Sequence, residues 1–177
     1  MGLSFGALGT PALAADNVAL VSGAFRRSIP VKDIEHLATT GEPVGLLKNL
    51  LEISGQNPED VSELLNKEIS LPLVLTSRLI NTRIGEAIIR RVARILYPIS
   101  TDAPSVSVPA IRAAVINGLH DNDGSLTAIG FLKAYPNSTL AINIPALTAV
   151  IEKAESIAGL VNFFSDSPLD GLKESQP

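Results

Sequence analysis

Apolar residues recur along this chain at helical spacing far more often than at strand spacing. Val31, Ile34, Leu37 and Ala38 repeat at steps of three and four, so they fall on one face of a helix, with Asp33 in its first turn and Gly41 as its stop. Leu46, Leu47, Leu50 and Leu51 form a second stripe, ended by Ser54-Gly55. Asn57-Pro58-Glu59-Asp60 opens a third helix with a side-chain cap, a first-turn proline and acids beside the positive helix end. Val61, Leu64 and Leu65 are then expected to face inward. Further helices are predicted from Pro72 to Ile80, Ile84 to Tyr97, Pro109 to Leu119, Ser125 to Tyr135 and Pro145 to Phe164.

Two stretches have a different rhythm. Val18 to Val21 and Ala24 to Ile29 are joined around Ser22-Gly23 and predict a β-hairpin; Leu140 to Ile144 is the segment expected to join its edge. The expected fold class is therefore mainly α (α+β), a compact multi-helix domain with a small sheet from about 18–30 and 140–144.

A tetrad of polar, β-branched or Leu, Pro and apolar residues occurs four times: Ser28-Ile29-Pro30-Val31, Ser70-Leu71-Pro72-Leu73, Ser107-Val108-Pro109-Ala110 and Asn143-Ile144-Pro145-Ala146. The residue before proline is pushed to extended geometry, and proline fits the first turn of a helix. Ser or Asn upstream can accept from the free N–H groups of that turn. Each tetrad thus predicts a short extended piece feeding a helix. Their unequal spacing argues against a solenoid.

Composition narrows the function classes. The 177 residues are 46% hydrophobic and 18% charged, which describes one globular domain with a core of its own. A net charge of -4 gives no expectation of nucleic acid as a partner. Without cysteine there is no disulfide, thiolate nucleophile or zinc ribbon. Met1 to Ala15 is uncharged, and Ala12 and Ala14 fit an export cleavage site with Ala15 as the first mature residue. Residues 1–14 are accordingly read as a truncated signal peptide, 15–164 as a single helical domain and 165–177 as a disordered polar tail. The expected location is the periplasm or thylakoid lumen, with no transmembrane segment.

The blocks Ser28-Ile29-Pro30-Val31-Lys32-Asp33-Ile34-Glu35, Thr40-Gly41-Glu42, Leu71-Pro72-Leu73, and Ser77-Arg78-Leu79-Ile80-Asn81-Thr82 with Ile84-Gly85-Glu86 occur in that order. Ile111-Arg112-Ala113-Ala114, Asp123-Gly124-Ser125-Leu126-Thr127, Tyr135-Pro136 and Ile142-Asn143-Ile144 follow. Together they resemble a cyanobacterial family of unknown function whose domain commonly stands between a signal peptide and an α/β-hydrolase catalytic domain of lipase or esterase type. The resemblance implies a domain associated with a hydrolase, here expected to stand without one. It transfers no catalytic residue.

An α/β-hydrolase needs a nucleophile on a Gly-x-Ser-x-Gly turn, followed by an acid and a histidine. The expectation is a chain with no such elbow or triad: Ser125 directly follows Gly124, and Ser22 directly precedes Gly23. His36 reads as a surface residue and His120-Asp121 as a helix end that favours an imidazolium. Asp121-Asn122-Asp123-Gly124 lacks the acids of a calcium loop and reads as a turn. No catalytic, cofactor or metal residue is therefore assigned.

The remaining candidate is cationic. Arg83, Arg90 and Arg94 share a helical face with Arg91 beside it, while Ile84, Ile88, Val92 and Ile95 are expected to face the core. This face is either solvated and paired with Glu86 or an anionic docking surface for lipid headgroups or an acidic protein patch. Two function classes follow: an exported non-catalytic accessory module acting with a hydrolase partner, or a small lipid- or pigment-binding carrier. An exposed apolar patch favours the first, an apolar cavity the second.

Overall fold

The computed structural model describes residues 14–153. The chain runs out along β1, Asn17–Ser22, and back along β2, Phe25–Pro30. Gly23 sits at the first loop position with φ 59°, the left-handed conformation that a tight two-residue hairpin turn requires there. The strands pair antiparallel from Asn17↔Pro30 to Ser22↔Phe25, the hairpin expected around Ser22-Gly23.

Three short helices follow. α1, Val31–Thr40, buries Val31, Ile34, Leu37 and Ala38, and Gly41 closes it by donating its N–H to the Leu37 carbonyl. α2, Gly45–Ser54, buries Leu47 and Leu51. α3, Pro58–Asn66, starts where the Asn57 side chain accepts from the Glu59 N–H at 3.0 Å. Its inward face is narrower than expected. Val61 and Leu65 pack on the core, but Leu64 is 43% exposed, because α3 meets α1 and α7 along a single ridge.

The next segment contains the main departures from the sequence reading. After β3, Ile69–Ser70, and α4, Leu73–Ile80, helix α5 spans Arg83–Val92 and stops short of the expected Tyr97. Leu96–Pro98 is instead a strand, β4. The helix then gives way to α6, which runs Pro104–Asp121 rather than starting at Pro109. Pro104 already supplies the first-turn proline. Pro109 sits inside the helix on its exposed side, where the Ser105 carbonyl that it leaves unpaired can meet water.

The helix expected from Ser125 begins later. Ser125–Leu126 is strand β5, paired antiparallel with β3, and α7 covers Ala128–Ala134. β6, Thr139–Asn143, ends one residue before the expected strand boundary, and Ile144 opens α8, Ile144–Lys153. The predicted continuation to Phe164 lies outside the described residues. Three of the four tetrads do join a strand to a helix, and that at Pro109 does not. Capping is rarer still: Asn143 accepts from the Ala146 N–H at 3.1 Å, whereas α1 and α4 have no side-chain cap.

The main sheet has the order β2-β1-β6-β4. β6 lies parallel to β1, and β4 lies antiparallel to β6 with Tyr97 opposite Ala141. β4 exists because β6 would otherwise present an unpaired edge. The Asn143 N–H reaches the Ile95 carbonyl at 2.8 Å and the Ile99 N–H reaches that of Thr139 at 3.2 Å. Those bonds override the helical spacing of the arginine segment. Val18, Ile29 and Leu140 from the sheet meet Leu37, Leu51, Ile111, Ala114 and Leu132 from the helices in one core. Fully buried Leu37, Leu119 and Leu140 each contribute about 1.5–3 kcal/mol of hydrophobic stabilisation. The domain is thus mainly α, with a small mixed sheet.

Candidate functional site

Among the described residues, those that suggest chemistry do not converge. His36 is exposed in the middle of α1, and His120 is exposed in the last turn of α6. No ion pair joins either imidazole to a carboxylate among the described residues. One element of the sequence reading needs correction: Gly2-Leu3-Ser4-Phe5-Gly6 does have the spacing of a nucleophile elbow. It lies outside the described residues, within the segment read as a signal peptide.

The Asp121–Gly124 segment is a turn, as its residues predict. The Gly124 N–H donates to Leu119 at 2.8 Å, the Ser125 N–H to Asn122 at 2.9 Å, and the Asn122 amide to Gly118 at 2.7 Å. Asp123 and Gly124 both take positive φ. Among the described residues no group of three His, Cys, Asp or Glu side chains could hold a metal ion.

The arginine face is divided by the fold. α5 packs against α4 and α6 through Gly85 and Ile89. At Gly85 the Leu79 carbonyl comes so close that a Cβ would lie 2.1 Å from it. That contact fixes the rotation of α5 and corrects the expected core face: Ile84 is 71% and Ile88 37% exposed. Arg90 donates to Glu86 Oε1 from Nε at 3.0 Å and from a terminal nitrogen at 2.7 Å. The hydrogen bond and charge of Arg90, with Arg112 adding to them, hold the Glu86 carboxyl below the usual carboxylate range.

Arg90 and Arg94 then meet Tyr97, Asp102, Pro104 and Asn143 around a cleft of about 290 Å³. Arg83 and Arg91 are exposed but do not line it. The Asn143 side-chain oxygen accepts from the Ala146 N–H at 3.1 Å, which ties this cleft residue to the first turn of α8. Asp102 lines the same cleft, and Arg90 is already paired with Glu86. Tyr97 and Asn143 were not legible as cleft residues, because β4 and β6 bring them beside α5 only by pairing.

A second surface feature is apolar. Leu20, Ser22, Phe25, Arg27 and Ile29 of the hairpin face Leu47, Leu50, Leu51 and Ser54 of α2, with Ile144 at one end, around a groove of about 390 Å³. Phe25 is 78% exposed on its rim. The hydrophobic stripe of α2 is visible in the sequence, but nothing in it says that the stripe overhangs the hairpin tip instead of being fully covered.

Fold and surface together define a mainly α, α+β domain whose described residues form an apolar groove and an arginine-lined cleft. The chain belongs to the family described as alpha/beta hydrolase of unknown function (DUF1400), whose model matches residues 14–143. That span contains the ordered sequence blocks from Ser28 onward except for Ile144, the last residue of the final block. No curated protein and no solved structure matches the chain.

Proposed function

We propose that the domain is an exported, non-catalytic interaction module that works with an α/β-hydrolase catalytic domain, in the same chain or a separate one. The observation that carries this reading is the groove beneath α2, where Phe25 stays 78% exposed beside Leu20, Leu47, Leu50 and Ile29. Contiguous exposed apolar surface beside polar rim residues marks a docking site more often than an ornament of the fold. The family description supplies the association with hydrolases. The Arg90–Arg94 cleft, with Arg83 and Arg91 near it, serves as a companion surface for an anionic patch or lipid headgroup.

A lipid or pigment carrier draws on the same groove, since its volume is within the range of small-ligand pockets. An open trough rimmed by an exposed phenylalanine suits a protein surface better than a ligand that must be taken out of water.

The deciding experiment is turnover of short and long p-nitrophenyl esters by the full chain and by Ser4→Ala, His36→Ala and His120→Ala. A serine is weakly nucleophilic until a positioned base takes its proton, so no turnover above the buffer control is expected. Activity that copurifies with the chain and disappears with any of the three substitutions would refute the non-catalytic reading. Protein recovered from its source should begin at or near Ala15; an intact Met1 would refute export.

A further inference from the structure

We infer that the outer edge of β2 takes up an extended acidic and apolar segment of a partner protein as an added strand. The inference rests on the interaction-module reading and gives its mode and chemistry.

The hydrogen-bond parity of the hairpin decides which backbone groups are free. The Val31 N–H donates to the Asp16 carbonyl at 2.8 Å, just beyond the ladder. In an antiparallel pair, bonded and non-bonded partners alternate. The bonded pairs are therefore Val18 with Ile29, Leu20 with Arg27 and Ser22 with Phe25. Arg26 and Ser28 point both N–H and C=O away from β1. The sheet order ends at β2, and among the described residues no strand pairs with that side. Phe25, Arg26, Arg27 and Ser28 are all exposed.

A free edge is a template for another strand, and charged residues are one way in which proteins protect it. Protection explains Arg26 and Arg27. It does not explain Phe25, which a protective edge would replace by a polar residue. Alternation puts Phe25, Arg27 and Ile29 on the groove side of the sheet and Arg26 and Ser28 on the other. An added strand continues both faces. Its residues opposite Phe25 and Ile29 reach the apolar groove, and those opposite Arg26 and Arg27 meet cations. The recognised pattern is apolar, acidic, acidic, any residue, apolar, in the direction set by the pairing. Main-chain bonds supply affinity and alternate side chains supply specificity.

The same charges argue against a second copy of this chain. An antiparallel pair of β2 strands centred on Arg26 or on Arg27 would set that arginine against its own equivalent, and like charges across strands destabilise a pair.

The test uses the isotope-labelled full chain and a synthetic peptide of valine, aspartate, glutamate, aspartate and leucine flanked by serines, whose acids oppose Arg26 and Arg27 in either strand direction. A peptide with lysines at the acidic positions is the control. Added acidic peptide should slow amide exchange at Arg26 and Ser28 and shift the resonances of Phe25, Leu47 and Leu50. Arg26→Pro removes one outward donor without touching the β1 ladder and should weaken binding about tenfold. Arg26→Glu with Arg27→Glu leaves the backbone intact and should reverse the preference to the lysine peptide. Native-like spectra of this second variant keep the test valid if the proline variant fails to fold.

Equal binding of both peptides, or unchanged exchange at Arg26 and Ser28, overturns the proposal. Groove shifts without edge protection overturn strand addition but leave the interaction module standing. Ester turnover lost with Ser4, His36 or His120 overturns the module itself. Protection of Arg26 and Ser28 already present without peptide also overturns the proposal. It assigns the edge to a second copy if it grows with concentration, and to the chain's own remaining residues if it does not.

Discussion

Replacing Gly85 by alanine adds one methyl group where α5 turns away from α4. Its Cβ would lie 2.1 Å from the Leu79 carbonyl oxygen, 2.6 Å from Ile80 Cα and 2.8 Å from the Leu79 carbonyl carbon. All three are backbone atoms, so no side chain can swing aside. Alanine in a helix is favoured over glycine by about 1 kcal/mol. Against this, overpacking typically costs about 1–3 kcal/mol, and more when the backbone itself must move. Opening the corner also strains the cap, in which Thr82 Oγ1 accepts from the Gly85 N–H at 3.1 Å. Such a cap is worth about 1 kcal/mol. The clash and the cap outweigh propensity, and a net loss of about 3 kcal/mol is expected.

Gly130 provides an internal control. It occupies the equivalent position in α7, its N–H bonded to Thr127 Oγ1 at 2.9 Å. There a Cβ meets only the side chains of Asn122 and Thr127, each at 3.2 Å. Gly130→Ala should therefore change stability by less than about 1 kcal/mol, as propensity and a small side-chain adjustment nearly cancel. Urea denaturation of both variants, with unchanged m-values, measures the difference. Thermal midpoints should fall by about 6–12 °C for Gly85→Ala, at roughly 2–4 °C per kcal/mol for a chain of this size. A Gly85→Ala protein within about 1 kcal/mol of the parent would refute the close approach of α4 and α5 that sets the rotation of the arginine face.

Tyr135 is fully buried, and its hydroxyl has no hydrogen-bond partner among the described residues. Tyr135→Phe removes an unsatisfied polar atom and should be neutral or stabilising by about 1 kcal/mol in the same denaturation assay; a loss of that size would reveal a partner for the hydroxyl. Burial pushes the Tyr135 phenol above its ordinary pKa of 10.0. The folded state then holds its proton where the unfolded state releases it, so this contribution is complete below about pH 10 and is lost as pH rises further. Tyr135→Phe should flatten that alkaline decline, and an unchanged slope would contradict it. At low salt the native chain should cosediment with vesicles containing phosphatidylserine, and Arg90→Gln with Arg94→Gln should weaken binding by about 1 kcal/mol per arginine, roughly fivefold each. Equal sedimentation of the double variant would remove the cleft from any anionic docking role.

The hairpin was legible because its information is local: two short segments, Val18 to Val21 and Ala24 to Ile29, joined around Ser22-Gly23, with a glycine where the turn needs positive φ. The same holds for α1 and α3, whose apolar spacing, Asn57 cap and Gly41 stop act within a few residues of one another. β4 was not legible, because Leu96–Pro98 becomes a strand only by pairing with Leu140–Ile142, far along the chain. Nor was the facing of α5. Its pattern allowed Ile84 and Ile88 to be core residues, and the contact of Gly85 with the Leu79 backbone turned them outward. The two surface features follow the same division. The sequence by itself determined the arginines of α5 and the leucine stripe of α2. Tertiary structure decided that Arg90 and Arg94 share a cleft with Asn143, and that α2 faces the hairpin across an apolar groove, because each arrangement depends on contacts between segments that local periodicity cannot relate.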